Sequence, residues 1–225
     1  KLFLIKNSLN ARAVINNKSI LNKLIIELKD RSILKENLQI SDYLVSKEGN
    51  TGCLTIYDSI LNDVEVFAND SHCEDAVNIV KSKGNVLSMF IKNSASDALD
   101  VDFSNLTIEN LKVDDAINDC IDFSGGSYHL KNLFLENCED KALSAENSNI
   151  KAENIKIFNS YYGIASKDFS FVELAKVNFK KVEICFDAYN KKQEFGGGFI
   201  SIKKFNNINC KLDMELEKSS KIMVN

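Results

Sequence analysis

The chain has 225 residues, of which 28 are Lys or Arg and 32 Asp or Glu, giving a net charge of −4, and 44% are hydrophobic. This composition fits one folded unit with a single core and lacks the basic footprint of a nucleic-acid binder. Only Arg12 and Arg31 are arginines, so the rest of the chain lacks the side chain best suited to bidentate recognition of phosphate, sulfate or carboxylate.

Taken in chain order, residues 1–60 carry short strand signals without strict register. Ser19-Ile-Leu-Asn22 and Ser59-Ile-Leu-Asn62 share one pattern and read as the same strand start two coils apart. From 61 to 210 the register is strict. A turn residue, a small residue and then apolar, outward and apolar positions recur in Asp75-Ala-Val-Asn-Ile79, Asp97-Ala-Leu-Asp-Val101, Asp119-Cys-Ile-Asp-Phe123, Lys141-Ala-Leu-Ser-Ala145, Tyr162-Gly-Ile-Ala-Ser166 and Ile184-Cys-Phe-Asp-Ala188. The first members lie 22, 22, 22, 21 and 22 residues apart. A second row keeps step: Val86 to Ile91, Ile108 to Val113, Leu130 to Leu135, Ala152 to Ile157 and Leu174 to Phe179.

Each signal has the period-2 alternation of a half-buried strand, and the gaps leave no room for a helix. A unit of this length cannot bury its own apolar face, but stacked copies form a continuous core. The fold expected is an all-β, right-handed, single-stranded parallel β-helix with coils of about 22 residues, one domain over 1–225. The six-residue period of a left-handed hexapeptide helix is absent, and a leucine-rich repeat would want a Leu-rich strand. Asn110, Asn132 and Asn154 fall at one position and read as a structural amide ladder. No Pro interrupts the strands. Residues 190–198 (NKKQEFGGG) lengthen one coil by about six residues and are expected to protrude as a loop.

The six cysteines show no metal-site spacing, and Cys120 and Cys185 occupy the position otherwise held by Ala or Gly. They read as buried thiols rather than disulfides. No apolar run approaches the about 18 residues of a membrane span. The first residue is not Met and no signal-peptide pattern is present, so the sequence reads as a piece or mature segment of a longer protein.

With Leu99 and Val101 inward, Asp100 and Asp102 face outward, and stacking builds an acidic stripe. Its strand row is Asn78, Asp100, Asp122, Ser144, Ala165 and Asp187; its turn row is Asp75, Asp97, Asp119 and Lys141. Stacked like charges repel unless screened or paired with a cation. Asp97, Asp100, Asp119 and Asp122 are candidate ligands for Ca²⁺, an ion that suits oxygen-rich sites, and paired carboxylates also suit acid/base work on sugars. A solvated surface stripe is the plain alternative. Tyr161, Tyr162, Tyr189, Tyr128 and Phe195 are candidate platforms for sugar rings, with Phe195 expected to be the most exposed. Phe90 and Phe134 recur at outward positions of the second row, where they could face a covering segment or partner. His72 and His129 read as surface residues.

The chain resembles the pectin-lyase-like superfamily of right-handed β-helices. The runs SDALDVDFS (96–104), NDCIDFSGG (118–126), EDKALSAENS (139–148), GIASKD (163–168) and AYNKKQEFGGG (188–198) are similar to uncharacterised bacterial β-helix repeat proteins, some joined to spore-coat-kinase-like domains at cell surfaces. The likeness covers about 75–200 and implies an extracellular or cell-surface setting. Against the polygalacturonase signatures, Asp97 matches the N-T-D aspartate, Asp119 the second aspartate of D-D, and Lys167 the final lysine. Asn118 replaces the first D-D aspartate, Lys141 the histidine and Ala165 the arginine. An inverting hydrolase needs both an acid and a base, and Asn cannot be that base.

The expectation is a non-catalytic, surface-associated module that binds or scaffolds on polysaccharide. Its ligand-binding residues would be Asp75, Asp100, Asp122, Ser144, Tyr162, Tyr189 and Phe195. The alternative is a calcium-dependent uronate lyase or C5-epimerase acting through Asp97, Asp119, Lys141 and Lys167. No cofactor is required by the first reading, Ca²⁺ by the second. Neither nucleic acid nor a membrane span is expected, and an oligomer is open.

Overall fold

The computed structural model describes residues 1–16, 18–33 and 43–225. Among them the regular structure is strand throughout, joined into one parallel sheet that winds as a β-solenoid of about 10 turns. Asp75–Val80 pairs with Asp97–Ala116, which pairs with Ile121–Lys167, then Phe171–Tyr189 and Phe205–Leu216, every ladder parallel. The pairs Val77↔Leu99, Leu99↔Ile121 and Ile164↔Phe186 carry the 22-residue register directly into space. Among the described residues no helix is long and apolar enough to cross a membrane.

The core is built from rows rather than a globule. Leu54, Val77, Leu99, Ile121, Leu143, Ile164 and Phe186 stack along the axis, all at 0% exposure. Full burial of each such side chain contributes roughly 1.5–3 kcal/mol. Corners need left-handed backbone, and one corner repeats it at Asp70, Asn93, Asp115, Asn137, Asn159, Lys181 and Asn209. Asn and Asp tolerate that conformation best. They also bond along the axis: Asn93 Nδ2 donates to Asp70 Oδ1 at 2.7 Å and Asn159 Nδ2 to Asn137 Oδ1 at 2.8 Å.

Three expectations are corrected. Ile20 to Asn22 pairs directly with Ile60 to Asn62, so these segments sit in neighbouring coils, not two coils apart. The 40-residue spacing is one coil carrying a long excursion between Asp30 and Gly52; residues 34–42 of it lie outside the described residues. The cysteines are not thiols but three disulfides, Cys53–Cys73, Cys120–Cys138 and Cys185–Cys210, with sequence separations of 20, 18 and 25. A coil returns to its starting corner just before the next repeat begins, which brings a cysteine not quite one coil downstream beside the small-residue position. Closing loops of this length stabilises by about 3 kcal/mol each in the chain-entropy picture.

The third correction concerns Phe195, within the 190–198 segment, which lies outside the strands with Lys191 to Glu194 exposed. The coil is indeed longer, Phe171 and its partner Phe199 being 28 residues apart. The added segment is anchored at its start. Backbone N–H groups of Lys191 and Lys192 donate to Asp168 Oδ1 at 2.8 and 3.0 Å, and both ammonium groups pair with Glu146. Gly198 re-enters against the preceding coil, where a Cβ would sit 1.9 Å from the Ser166 carbonyl oxygen. Phe195 is half-buried rather than open, packed edge-on to Phe169 at 6.1 Å; Phe169 is the exposed ring, at 62%.

Candidate functional site

Residues of the acidic rows are ladder neighbours on adjacent coils. Asp75↔Asp97, Asn78↔Asp100, Asp100↔Asp122 and Ala165↔Asp187 are ladder partners, and Asp102↔Ser124 begins a third row that continues through Glu146, Lys167 and Tyr189. The rows are not open to solvent. Asp75, Asn78, Asp119, Ser144, Lys167 and Asp187 are buried, while Asp97, Asp100 and Asp122 are half-buried. Adjacent strands lie only ~4.8 Å apart, so outward side chains on neighbouring rows wall one another in.

The turn row spends its carboxylates on structure. Asp97 Oδ1 accepts from Asn118 Nδ2 at 2.7 Å and from the Asp119 N–H at 2.9 Å. Asp119 Oδ1 accepts from the Lys141 N–H at 2.9 Å and from Lys141 Nζ at 3.4 Å. Each aspartate thus caps the start of the next coil. On the strand row Asn78 Nδ2 donates to Asp100 Oδ2 at 3.0 Å. Lys167 Nζ lies 3.7 Å from Asp122 Oδ2 and 3.9 Å from Glu146 Oε2.

Burial sets the electrostatics. It pushes Asp97 up to about 6, with Asp122 adding repulsion. It pushes Asp119 up to about 7 against the opposing pull of Lys141. Asp75 and Asp100 rise further, through burial first and then the neighbouring carboxylates, so both favour the protonated form at neutral pH. Burial works to lower Lys141, but Asp119 and Asp140 outweigh it and hold the ammonium above its ordinary value. Burial pushes Tyr189 up to about 12 and raises Tyr162. A working base needs a pKa near the operating pH. Lys141, Tyr162 and Tyr189 are shifted away from it. Asp97 and Asp119 fall in that range, yet Asp119 is 4% exposed and each commits one oxygen to the backbone.

For a cation the face offers oxygens but not convergence. Asp75 Oδ2, Asp122 Oδ1 and Ser144 Oγ have no hydrogen-bond partner. Among the described residues, however, the one group placing three Cys, His or carboxylate ligand atoms within 4.8 Å of one another is Asp30, Cys53 and Cys73, whose sulfurs are bonded to each other. As placed, the four aspartates Asp97, Asp100, Asp119 and Asp122 do not form such a group. Of the aromatic candidates, Tyr162 is half-buried beside the exposed Tyr161, their rings 4.9 Å apart. Tyr128 is a core residue whose hydroxyl donates to the Gly125 carbonyl at 2.5 Å. His129 is exposed and lies 2.8 Å from Glu153; His72 is half-buried, its backbone N–H donating to Asp30.

A second surface feature lies on the amide-ladder side. Ser88, Asn110, Asn132, Asn154 and Lys176 form one row, and Phe90, Lys112, Phe134, Lys156 and Asn178 the parallel one. Between them runs a groove of about 350 Å³ that follows the solenoid axis across five coils. The amides form a chain: Asn132 Nδ2 donates to Asn110 Oδ1 at 3.2 Å and Asn154 Nδ2 to Asn132 Oδ1 at 3.4 Å. All three asparagines are exposed. Lys112 Nζ sits 5.3 Å from the ring centroids of both Phe90 and Phe134. The ladder read from sequence is therefore present, but it also lines a surface channel. The signal for that role was the Phe90, Lys112, Phe134, Lys156 series at the same 22-residue spacing. No family model matches the chain, and no curated protein matches it in sequence.

Proposed function

We propose that this protein is a non-catalytic, surface-associated β-solenoid module that binds an extended polysaccharide along its axis. The observation that carries the reading is the groove: amide, aromatic and ammonium groups repeated at a constant rise make a periodic site for a periodic ligand. Five coils span four rises of ~4.8 Å, or roughly 19 Å, enough for several sugar units. Three disulfides support an oxidising, extracytoplasmic setting. The likeness to pectin-lyase-like β-helices and to β-helix repeat proteins of bacterial surfaces points the same way. The shifted pKa values of Lys141 and Tyr189 favour binding over proton abstraction.

Affinity electrophoresis through gels containing a panel of soluble polysaccharides tests this reading. At least one should retard the protein, the Phe90→Ala/Phe134→Ala variant should run unretarded, and no unsaturated uronate absorbance should develop. A protein that no polysaccharide slows would overturn the proposal. The second reading, a calcium-dependent uronate lyase or epimerase, is favoured by the unpartnered oxygens of Asp75 and Asp122. It requires those carboxylates to swing together. Heat on calcium titration that vanishes in Asp97→Ala/Asp119→Ala, together with uronate unsaturation, would support it in place of the first.

A further inference from the structure

Resting on that reading, we infer that the groove's ligand is a polyanionic polysaccharide whose carboxylate or sulfate groups are taken by Lys112, Lys156 and Lys176. The chain carries more acidic than basic residues, 32 against 28, yet no Asp or Glu lines this groove. All three lysines are exposed, and among the described residues none has a carboxylate within ion-pair distance. Lysines at other outward positions of the same coils do pair. Lys131, next to Asn132, meets Glu109 at 2.7 Å; Lys92 meets Asp114 at 3.3 Å and Lys151 meets Glu173 at 3.6 Å. The groove is thus a local reversal of the molecule's charge, and its cations are unneutralised.

Lys112 is also positioned in advance. Two phenyl rings hold its ammonium at 5.3 Å on either side, which restrains the side chain without cancelling its charge. Less rotamer freedom is then lost when an anion arrives. Lys112 and Lys156 share a row two coils apart, ~9.6 Å, so they suit an acid group recurring along a chain that lies parallel to the axis. The exposed amides of Asn110, Asn132 and Asn154 commit their N–H groups to one another and to the backbone, and the remaining lone pairs of their oxygens can accept from the intervening hydroxyls. An ammonium is a point charge without the planar fork of Arg. The groove therefore reads charge and spacing and takes carboxylated or sulfated chains alike.

Isothermal titration of the whole chain with polygalacturonate, dextran sulfate, neutral dextran and single-stranded oligothymidylate tests this. At least one of the two charged glycans should bind, weakening by about tenfold or more between ~0.05 and ~0.3 M salt. Lys112→Gln/Lys156→Gln/Lys176→Gln should weaken it by at least about tenfold while shifting the melting temperature by no more than ~2 °C, these side chains being exposed. If dextran binds as well as the charged glycans and the triple variant is unchanged, the polyanion assignment falls while polysaccharide binding stands. If no glycan binds, both fall. Oligothymidylate binding tighter than either charged glycan would overturn the ligand class.

Discussion

The carboxylate face and the amide–lysine groove are products of the same repeat, displayed on different sides of the same coils, and they differ in what their polar groups are committed to. On the carboxylate face, Asp97 and Asp119 cap backbone, Asp100 accepts from Asn78, and Lys167 is buried between Asp122 and Glu146. In the groove, the asparagines bond one another at the surface and, among the described residues, three ammonium groups meet no carboxylate. Chemistry-bearing residues in a row do not make a site; groups left uncommitted do.

The largest contrast should come from adding charge to each region. Ser144 is fully buried, one coil on from Asp122, and Ser144→Asp places another acid in a buried row of the carboxylate face. It should destabilise by about 3 kcal/mol or more. The matching change in the groove, Asn132→Asp, should cost less than about 1 kcal/mol because the position is exposed. Urea denaturation of the two variants measures both, and equal costs would erase the distinction.

The second contrast is pH. Asp97 and Asp119 titrate near 6 and 7 in the folded chain, above the roughly 3.9 of an unfolded aspartate, and Asp75 and Asp100 are raised as well. The native state therefore binds more protons than the unfolded one. The stability these groups contribute is complete below the unfolded value and is lost as pH rises through the folded values. Asp30 and Glu146, held low by their hydrogen bonds and ion pairs, act oppositely and are lost in acid. Stability should therefore peak in mild acid and decline toward pH ~8. Asp100→Asn should raise stability at pH ~8 by about 1 kcal/mol and flatten the decline. A chain that becomes more stable from pH ~5 to ~8 would contradict the buried-carboxylate picture.

The smallest expected effect on folding is Asn132→Ala. It breaks the exposed amide chain, whose bonds of 3.2 and 3.4 Å are long, and should cost well under about 1 kcal/mol. Its effect on glycan retardation should exceed its effect on the melting curve.

Much of the fold was legible because the repeat is local and periodic. Leu99, Val101 and their counterparts one coil on either side fix which residues face inward, and the ladder pairs follow. What was not legible depends on where the chain returns. Cys120 sits in line with Ala98 and looks like one more small residue; its partner Cys138 becomes visible only once the coil closes. Ser19 to Asn22 and Ser59 to Asn62 looked two coils apart because length alone does not separate two short coils from one long one. The outward direction of Asp100 and Asp122 follows from alternation, but their crowding does not, since it comes from adjacent rows. Phe90, Lys112 and Phe134 stood in register in the sequence. Their meaning emerged from a lateral neighbour, the asparagine row.

Hydrogen exchange with bound polygalacturonate tests most directly which face binds. Slowed exchange is expected in segments 86–91, 108–113, 130–135 and 154–157, which flank the groove, with 97–102 and 119–124 unchanged. Protection confined to those two aspartate-bearing segments would contradict it and return the binding site to the carboxylate face.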